Sequence, residues 1–119
     1  MREIQAPNPI PADGRLLFLA GSIEMDKAHQ WQQDVVRLLA GTEWTVLNPR
    51  RGSWDASWDQ RIENVEFKKQ VEWELEALER ADAILLYFDP ATKSPISLLE
   101  LGLFARSGKL IVVCPEGFW

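Results

Sequence analysis

Short apolar runs alternate with stretches of helical periodicity along almost the whole chain, and this alternation leaves few folds open. Leu16, Leu17, Phe18, Leu19 and Ala20 form one uninterrupted apolar run that ends at Gly21 and Ser22. Such a run suits a strand covered on both faces. A helix is predicted over 26–40, with Ala28, Trp31, Val35, Leu38 and Leu39 on one stripe and Gly41 as its stop. A second strand follows over 44–47 and breaks at Asn48 and Pro49. Residues 50–63 have turn chemistry and no period, which predicts a long loop. A second helix over 66–80 carries Phe67, Val71, Leu75 and Leu78, and a third strand over 83–88 ends at Asp89 and Pro90. Ser94 and Pro95 open a third helix to about 107, Ser as N-cap and Pro at the first helical position. A fourth strand over 109–114 is stopped by Pro115.

The order βαβαβαβ implies one α/β domain over 15–119, a parallel sheet with helices on both faces. Residues 1–14 hold prolines at 7, 9 and 11, which favour an extended N-terminal arm without chemistry of its own. In such a sheet a ligand sits outside the carboxyl ends of the strands. Gly21, Ser22, Asn48 and Asp89 stand at those ends and are therefore candidate binding residues.

Composition removes several classes of function. Thirteen Lys and Arg against eighteen Asp and Glu leave a formal net charge of −5, without a basic run, so a nucleic-acid polymer is not an expected partner. One cysteine, Cys114, rules out a disulfide framework, and it is expected to pack in the core at the end of a strand. One histidine, His29, makes a His-ligated metal cluster an unlikely design, and its place on an amphipathic helix reads as surface. A single glycine turn at Gly21 is not a G-x-G-x-x-G loop, so no cofactor is expected. No apolar stretch reaches the ~18–20 residues of a membrane span, and a cytoplasmic protein without a membrane partner is the default expectation.

Two acids break the apolar pattern. Glu74 lies three residues after Val71 and four before Leu78; Glu100 lies four after Ile96 and three before Leu103. Both are thus expected on stripes that face the core. A carboxylate there costs several kcal/mol unless it is paired or faces a cavity. Either each acid has a structural partner, such as Arg50, Arg51 or Arg106, or the two form a carboxyl pair able to do general acid/base or nucleophilic work on an acetal-type carbon.

The segment Phe18 to Ile23, Glu74 within VEWELEALERAD, the run from Ala81 to Phe88, and Glu100-Leu101-Gly102 followed by FARSGK stand in the order and spacing of a known family. The chain resembles the nucleoside 2-deoxyribosyltransferases and their relatives, the 2′-deoxynucleoside 5′-phosphate N-hydrolases, from about residue 16 to 114. The resemblance implies a flavodoxin-like three-layer fold and cleavage or transfer at the N-glycosidic bond of a (2-deoxy)nucleoside or nucleotide. It implies that Glu100 is the nucleophile that forms a covalent glycosyl-enzyme, and that Glu74 holds the sugar and handles protons. It also aligns Ser94 with a phosphate-contacting serine of the hydrolase branch, which suits a hydroxyl at a helix N-terminus. An acceptor base and a homodimer or larger homo-oligomer are further implications, since family sites are often shared between subunits. The chain departs from the family pattern in four places: residues 94–99 lack glycine, Leu17 stands where the transferases have tyrosine, Ser94 stands where the transferases have an acid, and Glu74 replaces the commoner Asp.

Other residues carry open readings. Trp54 and Trp58 either stack a base or cover the core beneath the long loop. Arg50 either binds a phosphate or belongs to a solvated basic pair with Arg51. A non-catalytic nucleotide-binding or sensor module on the same fold is the alternative to an enzyme, and a structural subunit is the third reading.

Overall fold

The computed structural model describes residues 1–23, 29–50 and 61–119. Its elements run β1 (Arg2–Gln5), β2 (Arg15–Gly21), α1 (Trp31–Leu38), β3 (Trp44–Asn48), α2 (Val65–Arg80), β4 (Ala83–Tyr87), α3 (Pro95–Phe104) and β5 (Leu110–Val113). All strand pairs are parallel, in the order β1-β3-β2-β4-β5. Without β1 this is the flavodoxin arrangement, with the first strand of the alternation at the centre.

The apolar run of β2 is central because it is covered from both sides. Leu16, Phe18 and Ala20 face a core completed by Trp73, Ala77 and Leu78 of α2, with Leu98, Leu101 and Phe104 of α3 against it. Leu17 and Leu19 face the opposite layer, with Val46, Trp31 and the partly buried Val35 and Val36 of α1. One helix therefore covers one face and two cover the other.

The N-terminal arm does more than lead in. Residues 2–5 pair with β3 and add a fifth strand at the sheet edge, where a following proline costs no ladder bond. Beyond it, the carbonyl of Asn8 accepts from Trp73 Nε1 at 2.7 Å, and the carbonyls of Ile10 and Pro11 accept from Arg80. The arm is thereby stitched along α2.

Two expected faces turn out rotated. On α2 the buried positions are Gln70, Trp73, Ala77 and Leu78, while Val71 and Leu75 are exposed. The Trp73 ring, 6.3 Å from that of Phe18, sets the face because it is the largest apolar side chain on the helix. On α3 the expected stripe Ile96, Leu99, Leu103 is exposed, and Leu98, Leu101 and Phe104 pack inward. This helix is apolar nearly all round, so spacing alone does not choose between its stripes. On α1 the expected face holds, with Trp31, Val35 and Leu39 packed inward, and Leu38 departs from it at 82% exposure. Helix α3 stops at Phe104, short of the expected 107, and the expected start of the first helix at 26–28 lies outside the described residues. Edge strand β5 has a neighbour on one side only; its Ile111 and Val113 are exposed, and Cys114 is exposed too, not packed in the core.

Candidate active site

The residues singled out at the strand ends meet where β2, β3 and β4 finish. Gly21 passes so close to β4 that a Cβ would stand 2.3 Å from the Tyr87 carbonyl oxygen, and its φ is +141°. Only glycine fits there. The turn then delivers Ser22, whose N–H donates to the Tyr87 carbonyl at 3.0 Å and whose own carbonyl accepts from Trp31 Nε1 at 3.0 Å.

Ser22 Oγ lies 2.5 Å from Ser94 Oγ and 2.9 Å from Thr92 Oγ1, and the latter two are 2.7 Å apart. The Asp89 N–H donates to Ser22 Oγ at 2.8 Å, and Thr92 Oγ1 donates to the Asp89 carbonyl at 2.9 Å. The three hydroxyls are buried and pre-organised by the loop after β4. Ser94 is the N-cap residue of α3 and Pro95 its first residue, as the sequence predicts; it adopts a left-handed conformation (φ 50°) and makes no side-chain capping bond, its hydroxyl joining the cluster instead. Strained non-glycine residues of this kind concentrate at functional sites. The Asp89 carboxylate accepts from the N–H groups of Ala91 and His29, at 2.8 and 2.9 Å, and so ties the β4 end to the approach to α1.

Asn48 and Arg50 are buried at the β3 end. Both ends of the Asn48 amide are used: Nδ2 donates to Glu3 Oε2 at 2.9 Å and Oδ1 accepts from the Arg50 N–H at 3.0 Å. The Arg50 guanidinium donates to the His29 carbonyl and to Gln32 Oε1, each at 3.2 Å. Arg50 is therefore not the solvated basic residue of one sequence reading. His29 itself is exposed, with Nε2 2.8 Å from Asp34 Oδ2. Trp54, Trp58 and Arg51 lie outside the described residues.

The two acids lie near enough for the charge of one to act on the other. Glu100 is the sixth residue of α3 and is 7% exposed, on the face it shares with Ser97, Leu101 and Phe104. Burial, and then the nearby charge of Glu74, push its carboxyl from the ordinary 4.5 up to about 8. Among the described residues Glu100 has no hydrogen bond or ion pair. Glu74 is half-buried on α2 and accepts from Gln70 Nε2 at 3.3 Å. Two carboxyls whose charges interact in this way do not both ionise freely, so the pair can supply a nucleophilic oxygen and an acid.

Three participants escaped the sequence reading. Thr92 was one hydroxyl among many in a turn. Gln70 and Gln32 are polar residues on buried helix faces, the signal that marked the acids, but they are visible only once the rotation of α2 and the start of α1 are known. Gln32 is 1% exposed, and its Nε2 has no partner among the described residues. An apolar groove of about 400 Å³ runs beside α3 and β5, lined by Leu98, Leu101, Val112 and Phe118 among others, and holds none of these residues. No described group of three or more His, Cys, Asp or Glu is arranged to hold a metal ion, and no described helix is long and apolar enough to cross a membrane.

The sequence signature of the family described as nucleoside 2-deoxyribosyltransferase like matches residues 14–118, and the chain belongs to that family. No curated protein matches it.

Proposed function

We propose that this member of the family cleaves or transfers at the N-glycosidic bond of a (2-deoxy)nucleoside or nucleotide, with Glu100 as nucleophile. The observation that carries the reading is the buried Glu100, without an ion pair among the described residues, close enough to Glu74 on the neighbouring helix for that charge to act on it. A Glu100 oxygen attacks the anomeric carbon, the bond to the base nitrogen breaks, and its electron pair leaves with the base. That nitrogen takes up a proton, for which Glu74 is the proposed donor or relay. Water, or the nitrogen of an acceptor base, then attacks the same carbon and releases the Glu100 carboxylate. Gly21, Ser22, Asp89 and Ser94 are proposed to line the substrate, with Arg50 and Asn48 at its further side; Trp54 stays a candidate from the sequence alone, and the hydroxyl cluster suits a sugar hydroxyl or a phosphate.

Glu100 is largely protonated near neutral pH in the free protein, so the nucleophile has to ionise first. For this mechanism kcat/KM rises with pH and levels off above about 8. A fall through the same region would assign Glu100 to an acid role instead. The protonation of Glu100 is also the observation that favours the second reading, a nucleotide-binding or sensor module, because a neutral carboxyl donates a hydrogen bond without reacting. A panel of deoxynucleosides, ribonucleosides and their monophosphates, with and without an acceptor base, separates the two. Free base from wild type and none from Glu100→Gln supports the enzyme. Binding of a panel member with no base released by wild type supports the module.

Assembly belongs to the same reading. Leu75, Ile96, Leu99 and Leu103 are 51–64% exposed on α2 and α3, the helices that carry the two acids. A second copy that covers them would complete the site, and the expected species in solution is a homodimer or larger. Light scattering that returns a 13.6 kDa particle at micromolar concentration would contradict this.

A further inference from the structure

Helix α3 begins at the end of the sheet where the candidate site lies, and its buried polar positions recur one turn apart. Ser94 precedes its first residue, Ser97 stands in its first turn and Glu100 in its second. The i, i+3 spacing puts them on one side of the helix. Ser94 Oγ belongs to the hydroxyl cluster, but Ser97 Oγ does not. Ser97 is 3% exposed, and its hydroxyl has no hydrogen-bond partner among the described residues. Nor is that hydroxyl sealed in: the unpartnered side-chain atom that is wholly enclosed among the described residues is Gln32 Nε2, so Ser97 Oγ keeps an opening. A bare hydroxyl inside a protein costs free energy that an alanine there would not, and no contact of the fold uses this one. Side chains on a helix lean toward its N-terminus, so the Glu100 carboxyl leans over the turn that carries Ser97.

We propose that Ser97 is a specificity-determining residue that hydrogen-bonds a hydroxyl of the substrate's sugar. The proposal rests on the glycosidic reading, which puts the sugar beside Glu100. An oxygen of Glu100 that attacks the anomeric carbon must come within ~3–3.5 Å of it. A group one helical turn away then meets the atoms next to that carbon: the ring oxygen and the hydroxyl-bearing carbons of the pentose. A donor on the ring oxygen would oppose the positive charge that develops there as the base departs. A sugar hydroxyl has no such conflict, and it both donates and accepts, as Ser97 does. The chemistry is the same for the 2′ and the 3′ hydroxyl, and the experiment separates them.

The test compares wild type with Ser97→Ala on the ribo, 2′-deoxy and 3′-deoxy nucleosides of adenine, guanine, cytosine and uracil, and on their 5′-monophosphates. Base release is read as kcat/KM. Binding is read by calorimetry with Ser97 and with Ser97→Ala, each in the Glu100→Gln background. The expected result is that Ser97→Ala lowers the preference for one sugar hydroxyl over its deoxy counterpart about tenfold, in kcat/KM or in Kd. The series in which the preference falls, 2′ or 3′, names the hydroxyl. The same loss on all three sugars, a loss that follows the phosphate, or no loss on any compound overturns the proposal. Urea unfolding supplies the structural control. The Ser97→Ala midpoint should be no lower than that of wild type, since the hydroxyl removed has no partner within the fold; a lower midpoint would reveal one and overturn the proposal. A sugar-selective change in binding with no base released by wild type would end the glycosidic reading and keep Ser97 as a sugar contact. Base release with no sugar-selective change would keep that reading and overturn the role of Ser97. Neither release nor binding of any compound would overturn both.

Discussion

At the scale of single residues, the carboxyl proposed as the nucleophile is one that works against the fold. The Glu100 carboxyl is raised from 4.5 to about 8, so the folded state binds its proton more tightly than the unfolded chain does. The stability it permits is fully present below about 4.5 and is lost as pH rises through about 8. Glu100→Gln matches the neutral form in shape. It should leave stability unchanged near pH 4 and raise it above pH 8 by on the order of 5 kcal/mol, read as urea midpoints across pH. Equal stability of the two proteins at pH 9 would mean that the buried charge costs nothing. Gly21 offers the opposite case. Gly21→Ala places a methyl group against the Tyr87 carbonyl at a φ that L-residues avoid, and should cost at least ~2 kcal/mol by the same measurement. The strand end at Gly21 was visible in the sequence, but the close approach to Tyr87 that demands glycine was not. The hydroxyl cluster beside it was not, because it joins residues about seventy positions apart and no local pattern reports that.

At the scale of elements, the existence and order of strands and helices were legible because short apolar runs and helical spacing differ in period. Which face each helix buries was less legible. Trp73 turns α2 by about one position, and α3 offers two apolar stripes of similar quality. Glu100 was recognised as a buried acid from neighbours that prove to be exposed; it is buried through Ser97, Leu101 and Phe104 instead. The N-cap of α2 is a local device of the usual kind, with Asn64 Oδ1 accepting from the N–H groups of Glu66 and Phe67 at 3.0 and 3.2 Å. Asn64→Ala should therefore cost ~1 kcal/mol. The rotated faces make a sharper contrast. Trp73→Ala should cost ~3–5 kcal/mol, whereas Leu38→Ala, on the residue expected in a core stripe, should stay within ~0.5 kcal/mol, both from denaturant unfolding.

At the scale of the whole molecule, the parallel order β1-β3-β2-β4-β5 does what the alternation of the sequence required: it gathers the ends of β2, β3 and β4 on one side and points the first turns of the helices toward them. The N-terminal arm adds an edge strand whose Glu3 reaches Asn48 at that same end, a contribution hidden by the prolines that follow it. Helices α2 and α3 lie on one face of the sheet, and this is what sets Glu74 against Glu100. The central claim is that Glu100 forms a bond to the sugar. It is tested most directly by peptide mass spectrometry after wild type is incubated with a slow 2-fluoro-substituted nucleoside. The predicted result is a sugar adduct on the peptide that contains Glu100, absent in Glu100→Gln; an adduct on any other residue, or base release with full activity in Glu100→Gln, would contradict it.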